Sequence, residues 1–147
     1  MQAWDVVIVG GSSAGMRAAN AASDAGATVT MLSSSQTSSF NDDSMTSGLS
    51  SSAGETNFSD HANDTHRVGA DLCEGDIVSA TTSTAVRHLA QLEKWGLNIR
   101  RNRNGGPHLG QLPGQSKPRT ASTGDSTLRE VRTILEEQCL KRKIPRR

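Results

Sequence analysis

Apolar and polar positions along this chain alternate between stretches with a clear period and stretches with none. Val6, Val7, Ile8 and Val9 form a continuous apolar run that stops at Gly10 and Gly11, the pattern of a buried strand ending in a tight turn. An alanine-rich segment follows, with Ala14, Ala18, Ala19, Ala21, Ala22 and Ala25, small enough for a helix to lie close to a sheet. Arg17, Asn20 and Asp24 are expected to face water, and Gly26 to stop the helix. Thr28 to Leu32 reads as a second parallel strand, buried and apolar like the first, so residues 5–32 make one βαβ unit. Downstream, the pattern predicts helices over about 59–71, 76–95 and 126–142. Ser59 and Asp76 are the candidate caps of the first two, and Thr127 with Glu130 forms a capping-box pattern for the third. The second helix should bury Ile77, Val78, Thr81, Ala85, Leu89, Leu92 and Trp95, and the third Leu128, Val131, Ile134, Leu135 and Leu140. Residues 33–56, dominated by Ser and Thr, and residues 97–124 show no period.

The turn between the first strand and helix carries the strongest chemistry. Gly10, Gly11, Ser12, Ser13, Ala14 and Gly15 read as a G-x-S-x-x-G variant of the glycine fingerprint that holds a dinucleotide pyrophosphate. There, free N–H groups at the helix start point toward the phosphates. The fold class is therefore α/β, a partial Rossmann-like arrangement with additional helices. At the end of the second strand a nicotinamide site places Asp or Glu for the ribose, whereas this chain has Leu32, Ser33 and Ser34. The absence of charge argues against NAD, and the absence of Arg or Lys in 33–48 argues against NADP.

From here the chain resembles the N-terminal part of the succinate dehydrogenase and fumarate reductase flavoprotein family, which includes L-aspartate oxidase. The matches run in family order. They are the opening strand and turn through Ala19, then Leu32-Ser33, then Asn57 to Thr65 (NFSDHANDT, like the family's D-S-W-x-D-H-x-x-D-T). Leu92 to Gly96 and Gly114 to Thr120 (GQSKPRT) follow, then Gly124 to Thr127 and Arg129 to Val131. The resemblance implies FAD, wrapped by residues 33–56, with Ser33, Ser34, Asn41, Thr46, Ser47 and Gly48 added to the turn as cofactor-binding residues. Asn41 aligns with the histidine that some members bond to the flavin, so the FAD is expected to be non-covalent. Gln115, Ser116 and Arg119 match on the substrate side. In the intact family the flavin exchanges hydride with a C4-dicarboxylate, and an iron–sulfur subunit is a candidate partner. The chain departs from the family pattern at Ser12, Thr46, Ser47, Pro113 and Leu128.

Composition narrows this picture. Hydrophobic residues are 33% and aromatics 3% of 147 residues, with no Tyr, thin for a self-sufficient α/β domain. The expectation is one incomplete FAD-binding domain over 1–147, a fragment inactive alone with no catalytic residue of its own. The alternative is a non-catalytic, Rossmann-like nucleotide-binding remnant. The net charge of +1 favours neither nucleic acid nor an anionic membrane. The basic run Lys141 to Arg147 reads as a helix end and strand stump, or as an interaction tail. Cys73 and Cys139 form no metal or redox motif, and His61 and His66 lack the spacing of a metal pair. No metal is expected. Without a leader or an apolar stretch of spanning length, the expected location is cytoplasmic, peripheral to a membrane through partner subunits.

Overall fold

A computed structural model describes residues 3–33, 48–51, 58–70 and 72–147. Its elements are β1 (Val6–Val9), α1 (Ser13–Asp24), β2 (Val29–Leu32), β3 (Leu49–Ser50), α2 (Phe58–Val68), α3 (Gly75–Lys94), β4 (Leu109–Gly110), β5 (Thr120–Ala121) and α4 (Thr127–Lys141). They divide into two compact units. The first contains β1, α1, β2 and the chain from Leu128 onward, and the second contains β3, α2, α3, β4 and β5.

In the first unit β1 and β2 pair in parallel, with Val6 opposite Val29 and Val9 opposite Leu32. The end of the chain adds a third parallel track. The Met31 N–H donates to the Pro145 carbonyl (2.9 Å), the Arg147 N–H to Met31 (2.8 Å) and the Ser33 N–H to Arg147 (2.8 Å). Of the basic run, Lys141 ends α4 and Arg146 forms a parallel bridge to Met31. Arg142 forks onto Asp24 through two bonds of 2.7 and 3.0 Å, and Arg146 bonds Glu136 at 3.0 Å.

The core of this unit is Met16, Ala19, Val29, Met31, Val131, Ile134, Leu135 and Cys139. Several expectations are corrected here. Asn20 is fully buried, not solvent-facing: its Nδ2 donates to the Leu135 carbonyl at 3.3 Å, which ties α1 to α4. Ala14, Ala18, Ala21 and Ala25 are exposed, as is Asp24, which was expected to face water. Along β1 burial alternates, leaving Val7 and Val9 exposed, because only one face of the strand is covered among the described residues. On α4 the inward stripe runs Val131, Ile134, Leu135, Gln138 and Cys139, the i, i+3, i+4, i+7, i+8 pattern. Leu140 lies one residue beyond that stripe, about 100° further round the helix, and is exposed.

In the second unit α2 packs on α3, and β3, β5 and β4 form an antiparallel sheet with β5 in the middle. Leu49 and Leu109 both face Ala121 across it, and Ser50 and Gly110 face Thr120. The stretch 97–124, which has no period, thus holds two strands and the buried Leu97 and Ile99. On α3 Val78, Thr82 and Leu89 are buried while Ile77 is exposed. Thr81, Ala85 and Leu92 line a largely apolar cavity of about 420 Å³ against Leu49, Ser50 and Ser51.

The helix starts also differ from expectation. Ser59 lies inside the first turn of α2. Glu74 takes the N-cap of α3 without a side-chain bond, and Asp76 sits in the first turn. Thr127 is the first residue of α4, and its hydroxyl turns back to the Thr123 N–H (3.1 Å) and the Gly124 carbonyl (3.1 Å).

Asn20 gives the first test. Asn20→Ala removes the Nδ2 donor on the Leu135 carbonyl and opens space between α1 and α4. A loss of about 1–3 kcal/mol is expected, read as a lower urea midpoint by far-UV dichroism; an unchanged midpoint contradicts the tie.

Candidate functional site

The chain leaves β1 through Gly10, whose φ of +112° only glycine adopts without strain. The Gly10 N–H donates to the Leu32 carbonyl at 2.8 Å, which fixes the turn at the end of the sheet. Ser12 then caps α1: its Oγ accepts the Gly15 N–H at 3.4 Å and its carbonyl accepts the Met16 N–H at 2.9 Å. The capping hydroxyl keeps its own proton to donate. Among the described residues the Ser13 and Ala14 amides have no hydrogen-bond partner, so the leading N–H groups of the helix are open to an acceptor. A side chain at Gly15 would collide with the Gly10 carbonyl oxygen and touch the Ile8 side chain at 3.4 Å. A Cβ at Gly11 would come 3.0 Å from the Ser33 Oγ, which places that hydroxyl beside the turn.

Gly10, Gly11, Ser12, Ser13, Ala14, Gly15 and Ser33 are therefore gathered at one end of the first unit. Ser34, Asn41, Thr46 and Ser47 lie outside the described residues. Gly48 belongs to the second unit. A Cβ there would run into the Ala121 carbonyl oxygen and lie 2.8 Å from the Thr120 Cγ2, so the close pairing of β3 with β5 requires glycine.

The three substrate-side residues also lie in the second unit, where Arg119 is buried, Gln115 half-buried and Ser116 exposed, and each bonds within the unit. Ser116 gives both its N–H (2.6 Å) and its hydroxyl (2.8 Å) to Asp64 Oδ2. Arg119 is 3% exposed, and its Nη2 is ion-paired with the same oxygen. That Nη2 lacks a well-angled hydrogen bond, yet the carboxylate against it makes it a paired charge and not an orphan. Gln115 donates to Thr120 Oγ1 (2.9 Å) and Ser50 Oγ (3.3 Å), and its Oε1 accepts the Leu112 N–H (3.0 Å). Gln115, Arg119 and Asp64 line a cavity of about 350 Å³ with His61, Thr65, Val68 and Cys73. Sequence reasoning missed Asp64 as the common partner of Ser116 and Arg119. The signal was present, since Asp64 and Arg119 each sit in a segment matched to the same family.

Comparison with known proteins decides the family. Residues 5–147 match the FAD binding domain family model. The chain belongs to this family. It is 32% identical over 126 residues to the fumarate reductase flavoprotein subunit of Mycobacterium tuberculosis, covering 84% of this chain and 22% of the relative. It is similar to the structure of a variant of the E. coli quinol fumarate reductase FrdA, at 27% identity and a TM-score of 0.84, covering 97% of this chain and 25% of that one. The fold of Mycobacterium smegmatis Sdh1, solved in complex with UQ1, superposes with a TM-score of 0.87 at 24% identity, covering 95% of this chain and 24% of that one. The chain thus spans about a quarter of the length of these relatives. The α/β architecture and FAD as cofactor follow from the family, and the open Ser13 and Ala14 amides fit its pyrophosphate.

His61 supplies a pH test. Its Nδ1 is buried without a partner and its Nε2 lies 3.3 Å from Ser50 Oγ. Burial, and then the nearby Arg119 guanidinium, hold its pKa below the ordinary value. The unfolded chain takes up the proton near pH 6.5 and the folded chain only at lower pH. The stability difference is therefore fully present above the unfolded value and is lost as pH falls through the folded one. Thermal midpoints should decline from pH 7.5 to pH 5, and His61→Gln should decline less. Parallel profiles for the two proteins refute this assignment.

Proposed function

We propose that this chain is the FAD-holding part of a flavoprotein of the succinate dehydrogenase and fumarate reductase type. The observation that carries the proposal is the turn from Gly10 to Gly15, with its open amides and its close backbone approach. In this reading Ser13 and Ala14 donate their N–H groups to the pyrophosphate. Ser12 caps the helix with its lone pair and gives its proton to a phosphate oxygen. Ser33, beside the turn, takes the ribose. Ser34, Asn41, Thr46, Ser47 and Gly48 are carried over as the flavin-wrapping segment. Asn41 has no imidazole nitrogen to bond the flavin, so the FAD is held non-covalently.

Bound FAD supplies hydride chemistry, and the protein supplies orientation and electrostatics. Exchange with a C4-dicarboxylate, and electron passage to an iron–sulfur subunit, belong to this proposal by similarity to the fumarate reductase flavoprotein subunits. For Gln115, Ser116 and Arg119, matched on the substrate side, the proposal adds a structural role. Their polar groups serve the second unit's own structure, so we assign them to holding residues 112–120 in place. Among the described residues no helix is long and apolar enough to cross a membrane. Attachment to a membrane would come through partner subunits.

FAD titrated into the chain should quench in fluorescence and shift in its visible band. After acid precipitation the flavin should appear in the supernatant. Flavin that stays with the precipitate overturns non-covalent binding, and an unshifted spectrum overturns the site. Ser12→Ala should weaken FAD binding about tenfold, the loss of one charge-assisted hydrogen bond at about 1.4 kcal/mol. Parental affinity in that variant would remove Ser12 from the phosphate site.

A further inference from the structure

We infer that Asp64 is a positioning residue for the flavin side of the site: by holding Ser116 and Arg119 it sets β5 against β3 and so fixes the backbone at Gly48. The inference rests on the FAD reading above. It starts from a carboxylate on α2 that is 7% exposed and meets donors on both oxygens. Oδ2 takes the Ser116 N–H and hydroxyl and faces Arg119, while Oδ1 takes Arg67 Nη2 at 2.8 Å. The same Arg67 nitrogen reaches the Gly114 carbonyl at 2.9 Å. Both ends of the segment 114–119 are thereby tied to one helix.

From Arg119 the path continues along the backbone. Its N–H donates to the Gly110 carbonyl at 3.0 Å and its carbonyl accepts the Ser51 N–H at 2.8 Å. Arg119 therefore bridges the end of β4 and the residue that follows β3. The next two residues, Thr120 and Ala121, are β5 and pair with Ser50 and Leu49. The Ala121 carbonyl occupies the space that a Gly48 side chain would need. Side chains reinforce the register, because Gln115 spans Ser50 and Thr120, and His61 meets Ser50. Every link from Asp64 to Gly48 lies within the second unit.

A two-residue strand pair has little hold of its own. Removing the charge at position 64 strands the buried Arg119 guanidinium and frees the segment that carries β5. An ion pair that served stability alone would change the folded fraction and leave the affinity of the folded molecules alone. A positioning role changes affinity and the bound-flavin signal at constant folded fraction.

The experiment uses the full chain, Asp64→Asn, and the milder Ser116→Ala, which removes one donor and keeps the backbone amide. FAD affinity is read by fluorescence quenching, bound flavin by visible circular dichroism, folded fraction by far-UV dichroism, and the Ser51 amide by hydrogen exchange. Asp64→Asn should bind FAD at least tenfold more weakly at equal folded fraction, with altered flavin dichroism and faster Ser51 exchange. Ser116→Ala should move each readout in the same direction by less. Parental affinity and Ser51 protection in Asp64→Asn overturn the inference. If Asp64→Asn unfolds, parental values in Ser116→Ala overturn it. A parental chain that binds no FAD overturns the FAD reading instead, and unchanged Ser51 exchange in the variants would still overturn the clamp.

Discussion

A buried carboxylate is expensive unless its lone pairs are met, and the order of the second unit depends on how Asp64 meets its own. Withdrawing an ion from water costs several kcal/mol even after relaxation, and a single partner rarely offsets that. Asp64 has two guanidinium partners and two donors from Ser116. The contributions differ in kind. Arg67 is 63% exposed in its side chain, so solvent screens its pair. Arg119 is almost fully withdrawn, and its burial is tolerable only with the carboxylate in place. The three antiparallel strands are two residues each, too short to hold register through their ladders. Side-chain bonds from α2 and from residues 114–119 do that work.

The first unit solves a different problem by different means. It has to bring a helix N-terminus and the end of a sheet together closely enough to expose backbone N–H groups, and it does so by leaving out side chains. Gly10 turns the chain and Gly15 lets α1 lie against β1. Ser12 stands where the family fingerprint has glycine, yet its extended backbone (φ −72°, ψ 170°) needs no glycine and its hydroxyl serves as a helix cap. The departure from the glycine pattern therefore keeps the turn and adds a polar hydrogen. The terminal segment bonds alongside β2, and Arg142 and Arg146 of its basic run pair with Asp24 on α1 and Glu136 on α4.

Much of this was legible residue by residue. β1, the turn, α1 and β2 followed from an apolar run, a glycine cluster and an alanine-rich period, all encoded within a few residues of where they act. The ordered matches led to the FAD-binding family for the same reason, since each match is a short local segment. The errors share a cause as well. Asn20 looks solvent-facing from its polarity, but it is buried because a carbonyl on α4, distant in sequence, accepts its amide. Leu140 looks buried from its apolarity, but the helix rotation places Cys139 inward instead.

The dinucleotide turn, the helical segments and the α/β class were readable along the chain, because periodicity and glycine placement act over a few residues and leave their mark in order. The folded arrangement decided that Ser116 and the buried Arg119 both meet Asp64, that residues 109–110 and 120–121 are strands, and that Gly48 must lack a side chain. Those facts depend on partners brought together from distant positions. Strands of two residues have no period to read, and a buried charge reveals its role only once its counter-charge is in place.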